Sequence, residues 1–177
     1  MKHQETFEQW QRGLRIFHRA HARAATLFEQ RNIALGLPTV ILTAISGTTV
    51  FATIESTPET WVKVLTGVMS LAAAVLAALQ TFLRFSELAE RHKAAAQKYG
   101  MLRRELEEAL ALEATATQPA PLPADFTKSF RERWDTLDCQ SPNLPQRLLD
   151  QSEAQVKAHL TEGAAAHRDH APSALQQ

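Results

Sequence analysis

"NIALGLPTVILTAISGTTVFATIE", residues 32–55, decides the architecture of this chain. From Ile33 to Ile54, 22 residues pass without a charge, although Thr, Ser and Gly recur among them. A second uncharged run, "VLTGVMSLAAAVLAALQTFL", covers the 20 residues from Val64 to Leu83. At about 1.5 Å per residue, either run wound as a helix crosses the roughly 30 Å hydrocarbon core of a bilayer. The slightly negative mean hydropathy of the whole chain does not argue against this, because spans are read from local windows. A soluble hairpin buried among other helices is the competing reading. It fails because the rest of the chain is too small to cover two helices that are apolar on every face. A signal peptide fails too, since its apolar core would be shorter and nearer Met1.

Charge sets the orientation. Residues 1–32 carry six Lys/Arg, residues 84–104 carry six more, and the connecting "ESTPETWVK" has only Lys63 at its edge. The positive-inside rule then puts both termini in the cytoplasm and the turn, with Pro58 and the interfacial Trp61, outside. The whole chain has no net charge, from 19 Lys+Arg and 19 Asp+Glu, so its balance predicts no acidic partner. Cys139 is the only cysteine, which excludes an intrachain disulfide and a cysteine-based zinc site.

Outside the spans the pattern is helical. Phe7, Trp10, Leu14, Phe17, His21, Ala24 and Phe28 recur at spacings of three and four, with Arg12, Arg15, Arg19 and Arg23 on the opposite face. Leu88, His92, Ala95, Tyr99, Leu102, Leu106 and Ala109 or Leu110 repeat that rhythm after the second span. Nothing from Val62 to Glu113 breaks a helix except Gly67 and Gly100, so the second span and its extension read as one long helix of about 75 Å. The matching stripes favour an antiparallel cytoplasmic stalk in which Trp10, Leu14, Phe17, His21 and Phe28 pack on Leu88, His92, Tyr99, Leu102 and Leu106. The alternative lays the arginine-rich helix on anionic headgroups.

The expected class is an all-α membrane protein: a transmembrane hairpin extended into a helical stalk, followed by one or two short helices. In segments, this gives a cytoplasmic amphipathic helix over 1–32, a first span over 33–54, an external turn over 55–61, and a second span over 62–85. A cytoplasmic helix over 86–114, a linker over 115–124 stiffened by Pro119, Pro121 and Pro123, and short helices over 125–160 follow. The first 160 residues form one domain, and 161–177, poor in packing residues, read as a disordered tail.

No nucleophile elbow, phosphate-binding loop, HExxH or dinucleotide fingerprint is present, so an enzyme is not expected and no cofactor is implied. His18, His21 and His92 could meet across the stalk as metal ligands, but packing histidines are the plainer reading and no metal is expected. Nor is nucleic acid, because no aromatics interleave with the arginines on one face. What remains is polarity inside the spans. Gly36, Thr39, Thr43, Ser46, Gly47, Val50 and Thr53 gather on one face of the first span, with Pro38 a candidate bend. Gly67, Ser70, Ala74, Ala77, Ala78 and Thr81 form a small-residue stripe on the second, with Gln80 one position off. Such stripes serve helix packing or a weakly polar pore lining. Two of them exceed what one hairpin contact uses, so the lipid bilayer and further copies of the chain are the expected partners.

The layout resembles the SLATT family, two-transmembrane effector domains associated with SMODS and SLOG proteins of bacterial conflict systems. The resemblance covers roughly residues 10–150. It rests on "RIFHRAHARA", the "N-x-x-L-G-x-P" opening with "LTAISGTTVF", the "LAALQTFLRFSELAERHKAAAQKYGMLRRELE" exit helix and the "SPNLP" turn. Asn32, Gly36, Pro38, Ser46, Gly47, His92 and Tyr99 are the positions that match. The resemblance implies an antiviral effector of the bacterial inner membrane that forms a homo-oligomeric, ion-leaking pore. A cytoplasmic nucleotide-signalling or sensor protein would trigger it, and no catalytic residues come with the likeness. A non-conducting scaffold that recruits a cytoplasmic partner is the alternative.

Overall fold

A computed structural model of the chain describes residues 2–52, 59–115 and 122–169; of residues 2–4, 160 and 163–169 it describes the backbone alone. The described residues form five helices and no strand: α1 (Lys2–Ala52), α2 (Thr60–Leu83), α3 (Phe85–Thr115), α4 (Ala124–Gln140) and α5 (Gln146–Asp169). They divide into two compact units. One comprises Met1–Ala24 with Arg91–Gln177, and the other is Ala25–Glu90.

The first unit is a helical bundle, and its core follows from the apolar stripes. Phe7 and Leu14 of α1, Ala95, Tyr99, Leu102 and Leu106 of α3, and Phe130 and Leu137 of α4 are buried together, with Trp10, Phe17, Phe126 and Trp134 packed against them. Trp10 stacks on Phe130 with ring centroids 5.7 Å apart, and Phe17 stacks on Tyr99 at 5.4 Å. Such pairs contribute about 0.5–1.5 kcal/mol beyond the area they bury. The stripe of α1 from Phe7 to Phe17 is therefore covered by protein. The arginines lie outside this core and several meet acids. Arg15 reaches Glu107 at 2.9 Å, Arg12 approaches Glu153 of α5 at 3.5 Å, and Arg133 holds both oxygens of Glu105 at 2.8 and 2.5 Å.

The second unit is the apolar hairpin. Along α1 the positions that lose solvent contact are Asn32, Leu35, Gly36, Thr39, Leu42, Ser46 and Thr49; along α2 they are Val62, Thr66, Met69, Ala73, Leu76, Gln80 and Leu83. Both sets step by three and four, the signature of one helix seated along another. The remaining faces are bare and apolar: Phe51 is 78% exposed and Phe82 82%. Where the apolar runs end, Arg31 lies 5.7 Å from the Phe28 ring centroid and 5.9 Å from that of Phe85. That is the amphipathic arrangement expected of an aromatic and cationic belt. Phe28 and Leu88, expected in the stalk, are half-buried members of this second unit.

Two expectations need correction. The second span and its extension are not one helix, because Arg84 adopts a left-handed conformation (φ 47, ψ 40) that separates α2 from α3. A non-glycine residue there costs roughly 1–2 kcal/mol; the Arg84 N–H still donates to the Gln80 carbonyl, and the guanidinium pairs with Glu87. Pro38, the candidate bend, lies within the continuous helix α1. The last helix runs on to Asp169 instead of ending near Leu160, so 161–169 are helical where disorder was expected. Ala164, Ala165 and Ala166 carry the highest helix propensity, which outweighs the shortage of packing residues. Thr53, most of the external turn including Pro58, Pro119 and Pro121 of the linker, and the tail beyond Asp169 lie outside the described residues.

Leu102→Asp places a carboxylate in the bundle core and should cost several kcal/mol. Arg15→Ala, removing a half-exposed ion pair, should cost less than about 1 kcal/mol. Thermal unfolding followed by tryptophan fluorescence in detergent checks both, and similar melting temperatures for the two variants would contradict the assigned core.

Candidate functional site

Two places concentrate polar groups among the apolar helices. The first is the seam of the hairpin. Near its Arg31 and Arg84 end, Gln80 Nε2 of α2 lies 3.5 Å from Asn32 Oδ1 of α1, at the limit of a hydrogen bond. Gly36 makes the approach possible, since a Cβ there would sit 3.1 Å from Gln80 Nε2. Most hydroxyls of the spans are occupied within their own helices. Thr39 donates to Leu35 O at 2.7 Å, Thr43 to Thr39 O at 2.7 Å, Thr66 to Val62 O at 2.9 Å and Thr81 to Ala77 O at 3.0 Å. This back-bonding makes a threonine acceptable in lipid without any external partner. Ser46 differs: it is 9% exposed, and its Oγ is buried without a hydrogen-bond partner.

The residues expected to line a path or a packing face therefore separate. Gly36, Thr39 and Ser46 belong to the seam, while Thr43, Gly47 and Val50 are exposed beside it. On α2 every member of the small-residue stripe, Gly67, Ser70, Ala74, Ala77, Ala78 and Thr81, is exposed. The seam of α2 uses Thr66, Met69, Ala73, Leu76 and Gln80 instead. Sequence reasoning missed that set, although its own three-and-four spacing is legible, because the small residues one position away drew the eye.

The second place is in the bundle. His21 and His92, each 1% exposed, meet with their Nδ1 atoms 2.9 Å apart. Tyr99 stacks on His21 at 5.3 Å, and its hydroxyl donates to Asp138 Oδ1 at 2.5 Å, which also accepts from Trp134 Nε1 at 3.2 Å. Burial and the neighbouring His92 push the His21 pKa down to about 4, and burial lowers that of His92. Burial, with the hydrogen bond to Asp138, raises that of Tyr99. His18 does not join the pair. Its Nδ1 lies 2.7 Å from Ala96 O, and its ring occupies the space above Gly100, where a Cβ would be 3.1 Å away. The three histidines considered as ligands thus do not converge, and among the described residues no group of three His, Cys, Asp or Glu side chains is placed to hold a metal.

Residues 12–114 match the model of the SMODS and SLOG-associating 2TM effector domain family 4. The chain belongs to this family. The match takes in both apolar helices, the hairpin seam and the histidine pair, and together with those two helices it makes the chain a membrane protein of the two-transmembrane effector type. No curated protein and no solved structure matches it.

Ser46→Ala removes a hydroxyl that has no partner in the hairpin. Its stability in detergent should be unchanged or rise by up to about 1 kcal/mol. A loss of that size instead would show that the hydroxyl is bonded in the working assembly.

Proposed function

We propose that this effector assembles through its spans into a homo-oligomeric pore of the bacterial inner membrane, which leaks ions and depolarises the cell when its cytoplasmic part is triggered. The observation that carries the reading is the wholly uncovered small-residue face of α2. Small residues let helices approach closely in lipid, and the hairpin does not use this face. A two-helix unit cannot enclose a path, so several copies are required. In this reading Gly67, Ser70, Ala74, Ala77, Ala78 and Thr81 mate with the next copy, and Thr43, Gly47 and Val50 face the lumen. A cytoplasmic nucleotide-signalling or sensor protein supplies the trigger, as befits an effector domain associated with SMODS and SLOG proteins, and no chemistry is catalysed. The non-conducting scaffold keeps one observation in its favour: hydroxyls already satisfied by their own helices have no need of water.

The two readings separate in cells carrying a potential-sensitive dye. Overproduced wild type should depolarise them. Thr43→Trp should abolish depolarisation with the oligomer intact, and Ala74→Leu should abolish both. Ser46→Leu, by contrast, should open the hairpin, since Ser46 lies in the seam. An oligomeric wild type that leaves the potential undisturbed sinks the pore and favours the scaffold.

Orientation is checked with a membrane-impermeant thiol reagent on intact cells. Cys139 is exposed, so a cytoplasmic location alone should protect it, while Ser56→Cys in a Cys139→Ser background should be labelled. The reverse pattern would overturn the topology.

A further inference from the structure

Arg31 carries a charge that no acid answers among the described residues. It makes no ion pair and no side-chain hydrogen bond there. What holds it is a pair of rings, Phe28 of α1 and Phe85 of α3, whose centroids lie 5.7 and 5.9 Å from its guanidinium carbon. The neighbouring charges are matched or turned away. Arg84 pairs with Glu87. Glu29, two residues before Arg31, points about 200° round the helix from it. The clamp is built from both sides of the helix break: Phe28 and Phe85 lie 6.0 Å apart, and Phe85 directly follows the left-handed Arg84. Residues held in that conformation cluster at binding sites. A guanidinium laid over rings loses rotational freedom, while the N–H donors at its edge stay available.

The level of that edge names its acceptor. Ile33 begins one uncharged run and Leu83 ends the other, so Arg31 and Phe85 stand at the margin of the hydrocarbon, where headgroup phosphates lie. We propose that Arg31, clamped by Phe28 and Phe85, is a binding site for the phosphodiester of an anionic phospholipid headgroup, which accepts two parallel N–H bonds from the guanidinium. A zwitterionic headgroup offers the same phosphate but brings a cation, and Arg31 has no acid beside it to receive one. Lysine is no substitute at this position, because a point charge has neither the flat face for the rings nor the fork for the phosphate. The bound headgroup in turn holds the two rings together and ties α1 to the start of α3.

The site is independent of whether the spans conduct, and its test reads lipid binding alone. Full-length protein in non-ionic detergent is titrated with phosphatidylglycerol or phosphatidylcholine, and bound lipid is counted by native mass spectrometry. Wild type should bind its first phosphatidylglycerol about tenfold or more tightly than phosphatidylcholine. Arg31→Gln should lose that preference and Arg31→Lys should not restore it. Lys63→Gln, at the opposite margin of the second run, should keep it. Phosphatidylglycerol should also raise the melting temperature of wild type but not of Arg31→Gln. Should that variant fail to fold, Phe85→Leu, which opens the clamp and keeps the charge, must show the loss instead. No preference in wild type, an undiminished one in Arg31→Gln, or an equal loss in Lys63→Gln overturns the proposal. Glycerophosphoglycerol, the same headgroup without acyl chains, should displace little lipid at millimolar concentration. Full displacement would make the ligand a soluble phosphodiester and overturn the lipid assignment.

Discussion

Water has to be kept from the second unit, and the chain has nothing to do it with. Fifteen large apolar side chains between Ile33 and Phe82 stand exposed on α1 and α2. Each is worth about 1.5–3 kcal/mol when removed from water, so together they outweigh the roughly 5–15 kcal/mol that holds an ordinary domain together. Only lipid, or lipid and other copies of the chain, can absorb a deficit of that size. The positions of charge follow from it. Arg31 and Arg84 stand immediately outside the runs, and apart from the Ser46 hydroxyl the seam admits polarity as groups that bond locally or to each other.

That seam is soft compared with the core of the bundle. The bundle packs aromatic rings and leucines on one another, whereas the hairpin sets Gly36, Thr39, Ser46, Thr66, Ala73 and Gln80 among its leucines. In lipid this is a workable contact, because small residues allow close approach and hydrocarbon tails compete with bulky apolar side chains. It also leaves few strong restraints on the rotation of one helix against the other. The small-residue face on α2, left over after the seam is made, is available to another helix of the same kind.

Much of this was legible in the chain itself. The spans followed from length and absence of charge, and the cores of α1, α3 and α4 from stripes such as Phe7, Leu14, Leu106 and Phe130, because burial is periodic wherever a helix has one dry face. Arg84 was not legible. Arginine is a good helix former, so nothing in the residue type signals a left-handed conformation there. Nor was the division of the first-span stripe, which sequence treats as one face. Thr39 and Ser46 turn to α2 while Thr43 and Gly47 do not, a matter of a fraction of a turn that depends on which face of α2 arrives. The meeting of His21 with His92 was anticipated as packing, but the loss of His18 to the Ala96 carbonyl could not be, because a backbone acceptor leaves no mark in a sequence.

The hydrogen bonding of the spans bears on what any open state must do. In the arrangement described here Thr39, Thr43, Thr66 and Thr81 each donate to a carbonyl of their own helix. Water entering a lumen would find their second lone pairs, but it would displace no unmet donor, so the drive to hydrate this surface is weak. Ser46 is the exception among the described hydroxyls of the seam, buried and unbonded. Its desolvation, about 1–3 kcal/mol by the usual cost of an unsatisfied buried group, disfavours the closed seam without breaking it. A rotation of α1 that brought Ser46 out beside Thr43 and Gly47 would relieve that cost and line a path at the same stroke. If the spans conduct as proposed, the closed hairpin would be held shut by the dryness of its seam and opposed by a single hydroxyl.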